Sequence, residues 1–271
     1  MAYKISEVSR ILNIPIDTIR YYQKQGIIAP RRNEENGYHE FDAEDMDTLL
    51  YYKKHRGLDF SAREITDILT SDSSDAYLSR CVAKQEEIEK KLSWYTLLRQ
   101  KNRNYIDVLA AIPDRLGRFE LTMQPEAYYF INSNNDVFRT QGAVRDVFKS
   151  WMACYPFVEN YYTIAPGELE GSQASFHYRR GFTIKKMWAD RLPVLINDEV
   201  RFIPERRAVY TVVRTANNRV FTPDLFADAL AFIDGEGLRL CDDIQGNVLT
   251  CVHEGGQVVR YMEVWLPVLA R

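Results

Sequence analysis

From Asp75 to Ala111 the chain contains neither Pro nor Gly, and a spacing of three to four carries Leu78, Cys81, Gln85, Ile88, Leu92, Tyr95, Arg99, Asn102, Ile106 and Leu109 through it. A run without helix breakers at that period predicts one continuous helix, roughly 55 Å long at about 1.5 Å per residue. So long a stripe needs a partner helix, and a second copy of the chain is the natural one. The polar positions Gln85, Arg99 and Asn102 lower the stability of such a pairing and help to set its register. Pro113-Asp114 stops the helix. The chain therefore divides into a head (residues 1–72), the helix (73–112) and a body (120–271).

The head reads as two short helices, a hairpin and two further helices. Ser6 is expected as the first cap, with Glu7 complementing the positive helix end. Ile5, Val8, Ile11 and Leu12 fall on one side, and Asn13 with Pro15 interrupts the pattern before a second helix. On that helix Ile16, Ile19 and Tyr22 turn inward, leaving Asp17, Thr18, Arg20, Tyr21 and Lys24 outward, until Gly26 ends it. Arg31 and Arg32 then precede Asn36-Gly37, a dipeptide that favours the tight turn of a two-stranded ribbon, and Tyr38 to Phe41 alternates as the returning strand. This ribbon is a wing. Up to position 33, six basic residues against two acidic ones leave a local charge of +4, whereas the whole chain carries −3. Positive charge concentrated on a helix-turn-helix with a wing suits phosphate and base contact in a DNA groove. Asp42 to Leu58 forms the next helix, whose Lys53, Lys54 and Arg56 either reach phosphates or complement a helix C-terminus. Phe60-Ser61 caps a last helix through Leu69.

The body has a different composition and holds three of the four Trp. Glu126 to Asn132, Gln173 to Arg180 and Arg207 to Arg214 read as strands. Val137 to Tyr155 reads as a helix aligning Val144, Val147, Phe148 and Trp151, and Thr222-Pro223 opens another to Asp234. Leu238 to His253 and Val258 to Val268 form a strand pair about Gly255-Gly256. Two strand-helix-strand-strand units predict one pseudo-symmetric antiparallel sheet with helices on one side. The fold class is α+β.

Several spaced runs carry a family resemblance: Tyr3-Lys-Ile-Ser-Glu-Val, Thr18-Ile-Arg-Tyr-Tyr, Gly26-Ile-Ile, Asn36-Gly-Tyr, Phe41, the Leu49-Leu50 helix and Phe60-Ser-Ala-Arg-Glu-Ile. In that order they closely resemble the MerR family of transcription regulators. The resemblance implies that the second helix enters the major groove, the wing lies along the backbone, and the long helices pair as an antiparallel coiled coil. Thr18, Arg20, Tyr21, Tyr22, Lys24, Arg31, Tyr38, His39 and Lys53 are the DNA contacts it nominates, Tyr22 also serving the core. Most relatives have Arg where this chain has His39, so a phosphate contact there is weakened or made pH-dependent. The partners implied are double-stranded promoter DNA, a second protomer, and RNA polymerase at a promoter whose spacing the bound protein corrects by distortion. A two-fold dimer asks for a roughly palindromic operator.

The body resembles the GyrI-like effector domain of the multidrug-responsive branch of that family. Its last strand, Tyr261-Met-Glu-Val-Trp-Leu-Pro-Val, carries the match and sets Glu263 among apolar neighbours, where an ionised carboxylate needs a partner. In the resembling proteins this Glu lies at the base of an aromatic pocket that favours lipophilic cations. Matching positions nominate Phe176, Tyr178, Tyr210 and Trp265, with Tyr161, Tyr162 and Trp188 as further candidates. The alternative for Glu263 is an internal salt bridge with Arg207 or Arg260, and for the aromatics an ordinary core. The leading expectation is a ligand-responsive activator rather than an enzyme. Two rivals stay open: a small-molecule hydrolase using Glu263 as general base, and an orphan regulator whose body only stabilises the dimer.

Composition excludes several classes. No stretch approaches the roughly 18 apolar residues of a membrane span, and the N-terminus lacks a signal-peptide core, so a cytoplasmic protein is expected. Cys81, Cys154, Cys241 and Cys251 lack metal-ligand spacing and read as reduced, mostly buried side chains. No phosphate loop, nucleophile triad or metal motif is present, and no cofactor is expected.

Overall fold

Residues 2–69, 73–134, 137–139, 141–170, 175–216 and 221–271 are described by the computed structural model. They form two compact units, Met1–Tyr95 and Thr96–Arg271.

In the first unit a short strand precedes the helices. Strand β1 (Tyr3–Lys4) pairs with β3 (His39–Phe41), which also pairs with β2 (Arg31–Arg32). The wing is thus three-stranded, in the order β1-β3-β2, instead of a two-stranded ribbon. That pairing also moves the first cap. Lys4 is held extended by its partner Glu40, so α1 (Ile5–Leu12) begins ahead of Ser6, and the Lys4 N–H donates to Glu7 Oε2 at 2.8 Å. Val8 and Leu12, four residues apart, take the core line, while Ile11 stands beside it and is 52% exposed. Asn13 adopts the left-handed conformation (φ 49°) that ends α1. Helix α2 (Ile16–Lys24) follows Pro15 and stops before Gly26, whose φ of 71° explains the glycine.

The wing turn is longer than a two-residue turn. The Asn33 N–H donates to the Tyr38 carbonyl at 2.8 Å, closing a loop inside which Asn33 Oδ1 accepts from the N–H groups of Glu35 and Asn36 at 2.9 and 3.2 Å. Asn side chains here replace backbone acceptors. Helix α3 (Ala43–Gly57) is capped by Asp42, and α4 (Ala62–Leu69) by Ser61 with Glu64 reaching back to the Ser61 N–H at 2.7 Å. Leu49 and Tyr52 of α3 are buried, but its Leu50 and Tyr51 are exposed.

Helix α5 (Ser74–Ala110) confirms the long unbroken run at 37 residues. Its side chain Lys84 is buried against the head, pairing with Glu64 at 2.9 Å and Glu87 at 2.6 Å above the Phe60 ring. The stripe expected to meet a partner stays open, with Leu78 63% and Leu92 65% exposed.

The second unit begins in the last third of α5. A single turn, α6 (Ile112–Arg115), leads to β4 (Glu120–Gln124), β5 (Ala127–Asn134), β6 (Val137–Phe138), α7 (Ala143–Met152), β7 (Val158–Ile164) and β8 (Arg179–Lys185). Then come α8 (Lys186–Ala189), β9 (Arg201–Ile203), β10 (Arg206–Ala216), α9 (Ala227–Gly235), β11 (Leu238–Leu240), β12 (Ile244–Glu254) and β13 (Gln257–Ala270). The main sheet runs β4-β10-β13-β12-β7-β8-β5-β6. The halves β5-α7-β7-β8 and β10-α9-β12-β13 take mirrored places about the β7–β12 pair, and every pairing among them is antiparallel. The pseudo-symmetric sheet is therefore present.

Several boundaries move. The strand expected over 173–180 starts only at Arg179; part of that range lies outside the described residues, and Phe176 and Tyr178 precede the strand. The helix expected over 137–155 is confined to α7, because β6 pairs with β5 first. Thr222-Pro223 opens a single 3-10 turn before α9. The stretch 238–253 splits into β11 and β12 around Asp242 and Asp243, which bind Arg206 at 2.5 Å and Thr163 at 2.8 Å, respectively. Strand β7 gave no clear period because both its faces are used.

One face of the sheet carries a core of Val209, Met262, Val264, Leu266 and Val268 under α9, with Phe176, Phe221 and Phe226. Alternation sends Glu263 and Trp265 of β13 to the opposite face, toward Lys185 of β8 and the end of α5. Gly181 lets β8 approach β5: an added Cβ would lie 1.8 Å from the Phe130 carbonyl oxygen.

Gly181→Ala is expected to force the two strands apart and lower unfolding stability by about 1–3 kcal/mol; an unchanged denaturant midpoint contradicts the close approach. Glu64 offers a pH test in the head. Hydrogen bonds from Ser61, then the Lys84 ammonium, hold its carboxyl down from 4.5 to about 2. Its stabilisation is complete above 4.5 and is lost as pH falls towards 2. Glu64→Gln should therefore flatten the acid limb of a pH–stability curve between those values, and an identical limb would refute this.

Candidate functional site

Two sites emerge, one in each unit. On the head, α2 is held by Tyr22, whose ring lies 3.9 Å from that of Tyr52. Tyr22 is buried, and burial pushes its hydroxyl above the ordinary tyrosine range. Its packing on Tyr52 gives it the structural role that the sequence reading set beside DNA contact. Arg20, Tyr21 and Lys24 project from the exposed side and Thr18 is half-buried. Asp17 stands 3.6 Å from Arg20 in an exposed pair that a phosphate can displace. An open recess of about 420 Å³ between α2, α3 and α4 is lined by Asp17, Thr18, Tyr21, Tyr22, Tyr52 and Arg56. On the wing Arg31 and His39 are exposed and Tyr38 is 72% exposed. His39 Nδ1 lies 3.3 Å from the Pro30 carbonyl, which leaves its other ring nitrogen outward.

Lys53 takes the second of its two sequence readings. Its ammonium donates to the carbonyl of Leu12 at 2.8 Å and of Asn13 at 3.4 Å, closing the C-terminus of α1. The helix it complements is a neighbour, a relation that sequence spacing does not reveal. His55, which no sequence pattern singled out, is buried between the Tyr51 carbonyl at 2.7 Å and the Tyr77 hydroxyl at 3.0 Å, tying α3 to α5.

In the second unit a cavity of about 360 Å³ lies between the sheet and the last third of α5. Leu98, Tyr105 and Val108 form the helix wall, and Met187, Trp188, Val248 and Leu249 the apolar remainder. Tyr105 donates to the Leu249 carbonyl at 2.9 Å, and Lys101 pairs with Glu159, so the helix is tied to β12 and β7. Glu263 is on the wall as well, 5% exposed, accepting from Asn247 Nδ2 at 2.9 Å. Neither Arg207 nor Arg260 pairs with it among the described residues; the internal cation beside it is Lys185. The Glu263 carboxylate first, working against burial, and then Glu159 hold the Lys185 ammonium above the usual lysine range.

Of the aromatic residues nominated for a pocket, Trp188 alone joins Glu263 on this cavity. Trp265 and Tyr161 line a narrower recess of about 20 Å³ with Gln245, Asn247 and Glu263. Tyr210 is buried, its ring 4.6 Å from Trp265 and 5.3 Å from the Arg115 guanidinium. Burial and then the Glu263 charge raise its hydroxyl above the ordinary value. Phe176 and Tyr178 belong to the core on the opposite sheet face, with Tyr162 and Phe221. Aromatic content told of a core, and strand parity had to be known to sort its faces. Lys185 and Lys101 were missed because both follow ordinary polar patterns in sequence.

Among the described residues no group of three or more His, Cys, Asp or Glu is placed to hold a metal ion, and no helix is long and apolar enough to cross a membrane. The four thiols are free; Cys241 and Cys251 are exposed, contrary to the expectation of mostly buried cysteines.

A winged helix-turn-helix with an exposed basic helix, followed by a long helix and a sheet-rich body, defines a DNA-binding regulator. The model of the MerR HTH family of regulatory proteins matches residues 3–72. The chain is 30% identical over 107 residues to the HTH-type transcriptional regulator CueR of Vibrio cholerae, covering 38% of this chain and 77% of the relative. It is 36% identical over 102 residues to HmrR of Rhizobium leguminosarum, covering 35% and 78%. The protein belongs to the MerR family. Among solved structures, the EcmrR–DNA complex covers 99% of this chain and 100% of its own at 15% identity, with a TM-score of 0.35.

Lys53 separates structure from DNA contact. Lys53→Met should cost about 1 kcal/mol of stability through the lost α1 contact and leave the salt dependence of DNA binding unchanged. A salt slope reduced by about one unit would mark a phosphate contact instead.

Proposed function

We propose that the protein is a ligand-responsive transcription activator. It binds promoter DNA as a dimer through Arg20, Tyr21, Lys24, Arg31, Tyr38 and His39, and a small molecule in the Glu263 cavity governs how the two heads distort the duplex for RNA polymerase. The observation that carries this reading is the cavity itself. A space of about 360 Å³ between α5 and the sheet is within the range of small-molecule sites, and one of its walls is the helix that continues from the head. The open stripe with Leu78, Ile88, Leu92 and Tyr95 supports pairing of two such helices, because so many exposed apolar side chains on one helix are costly to leave in water. The body is read as a GyrI-like effector domain on the strength of its mirrored strand-helix-strand-strand halves and the Glu263 strand.

Distorting DNA costs energy that protein contacts must offset, and an effector shifts the outcome only if it binds the two states unequally. Arg20→Ala is expected to weaken promoter binding roughly ten- to hundredfold, or about 1–3 kcal/mol, in a gel-retardation titration, with or without effector. Leu249→Trp, which fills the cavity, should leave DNA affinity intact and abolish effector-dependent transcription in vitro. The effector should be recovered chemically unchanged. Full induction of Leu249→Trp would overturn the cavity assignment, and wild-type affinity of Arg20→Ala the DNA face.

A further inference from the structure

The charges on the cavity wall are balanced within the protein. Two lysines and two glutamates line it, Lys101 with Glu159 and Lys185 with Glu263. The first couple is a direct ion pair and is satisfied. The second is not closed: Lys185 and Glu263 influence each other electrostatically, yet no hydrogen bond or ion pair joins them. Among the described residues Glu263 accepts one hydrogen bond, from Asn247, and the Lys185 ammonium makes none. Asn247 itself lines the narrower recess behind Glu263 and not this cavity, so its amide serves to hold the carboxylate in place. Lys185 and Glu263 thus reach the cavity with donor and acceptor capacity unused, and polar groups withdrawn from water without partners are costly, so this wall is built for a further polar group.

We infer that the cavity takes a net-neutral ligand with an apolar body and one uncharged group, an amide or hydroxyl, that both accepts and donates hydrogen bonds between Lys185 and Glu263. This rests on the effector reading above and gives it a ligand class. A lysine ammonium can only donate, and a carboxylate can only accept. An amide answers both, its oxygen toward Lys185 and its N–H toward Glu263. A quaternary cation answers neither with a hydrogen bond, and its attraction to Glu263 is offset by repulsion from Lys185. An anion meets the same cancellation with the signs exchanged. The apolar body has Leu98, Tyr105, Val108, Trp188 and Val248 to lie against.

The test uses the full chain and five probes with one body: biphenyl, biphenyl-4-carboxamide, biphenyl-4-methanol, biphenyl-4-carboxylate and (biphenyl-4-ylmethyl)trimethylammonium, titrated by calorimetry. The amide and the alcohol should bind at least tenfold more tightly than either ion and than biphenyl. Removing the ammonium charge in Lys185→Met should raise affinity for the trimethylammonium probe at least tenfold while weakening the amide. Lys185→Gln, which keeps a donor without the charge, should raise the cation and retain the amide. If the trimethylammonium or carboxylate probe binds the wild type most tightly, the inference falls and the effector cavity stands. If no probe binds the wild type or either variant, the effector reading fails and the inference with it. Where neither variant folds, the wild-type ranking alone decides.

Discussion

A carboxylate buried in the middle of a sheet governs the body of this protein. Glu263 sits on β13 between two paired neighbours, β10 and β12, so it has no route to solvent by fraying at an edge. Taking such a charge out of water costs several kcal/mol, which the register answers locally. Asn247 is directly opposite on β12 and donates to it. Lys185, at the end of β8, brings a positive charge to the same face. Lining the recess with Glu263, Gln124 and Gln245 form a separate hydrogen-bonded set with Arg206, Gln124 Nε2 donating to Gln245 Oε1 at 2.7 Å and Arg206 Nε to Gln124 Oε1 at 3.0 Å. A sheet face so polar cannot be closed by an apolar helix pressed flat upon it. The end of α5 is instead held at its margins by Lys101 and Tyr105, and the space between remains.

The same packing logic distinguishes the two faces of the sheet. Under α9 the side chains are apolar and interlock, and Phe176, Phe221 and Phe226 fill the volume. Under α5 the wall mixes apolar side chains with the charged Lys101, Glu159, Lys185 and Glu263. Apolar faces collapse to the density of a crystal, whereas hydrogen-bonded groups fix separations. A cavity therefore belongs to the α5 face and a core to the α9 face. In the head the order is reversed in scale: the small core around Leu49, Tyr52 and Phe41 leaves little room for polar groups, and the exceptions, His55 and Lys84, each connect α5 to a different helix.

Sequence made the regular parts legible. The absence of Pro and Gly gave α5 nearly to the residue, the Ser61 cap was readable, and the repeat of strand-helix-strand-strand gave the pseudo-symmetric antiparallel sheet. What failed was information carried by partners distant in the chain. Ser6 looked like a cap until β1 pairing fixed Lys4, and Lys53 looked outward until α1 was beside it. Phe176 and Tyr178 looked like partners of Glu263 because all three were placed on strands, but parity on one strand says nothing of the face used by a segment outside it. Lys185 illustrates the limit most clearly. Nothing in Thr183-Ile-Lys-Lys marks it, and only the β7–β8–β12–β13 arrangement brings it near a glutamate nearly eighty positions on.

On the regulator reading, the location of the polar groups also constrains where coupling arises. Lys185 and Glu263 both belong to the sheet, so a ligand satisfied by them alone binds the body equally well whatever α5 does, and equal binding to two states shifts neither. The contacts able to discriminate are those on the helix wall, Leu98, Asn102, Tyr105 and Val108. They are apolar or uncharged, apart from the neighbouring Lys101 that already holds Glu159. On that reading affinity and response would reside on opposite walls: the sheet's charges would decide which molecule enters, and the fit of its apolar body against α5 whether entry has any consequence.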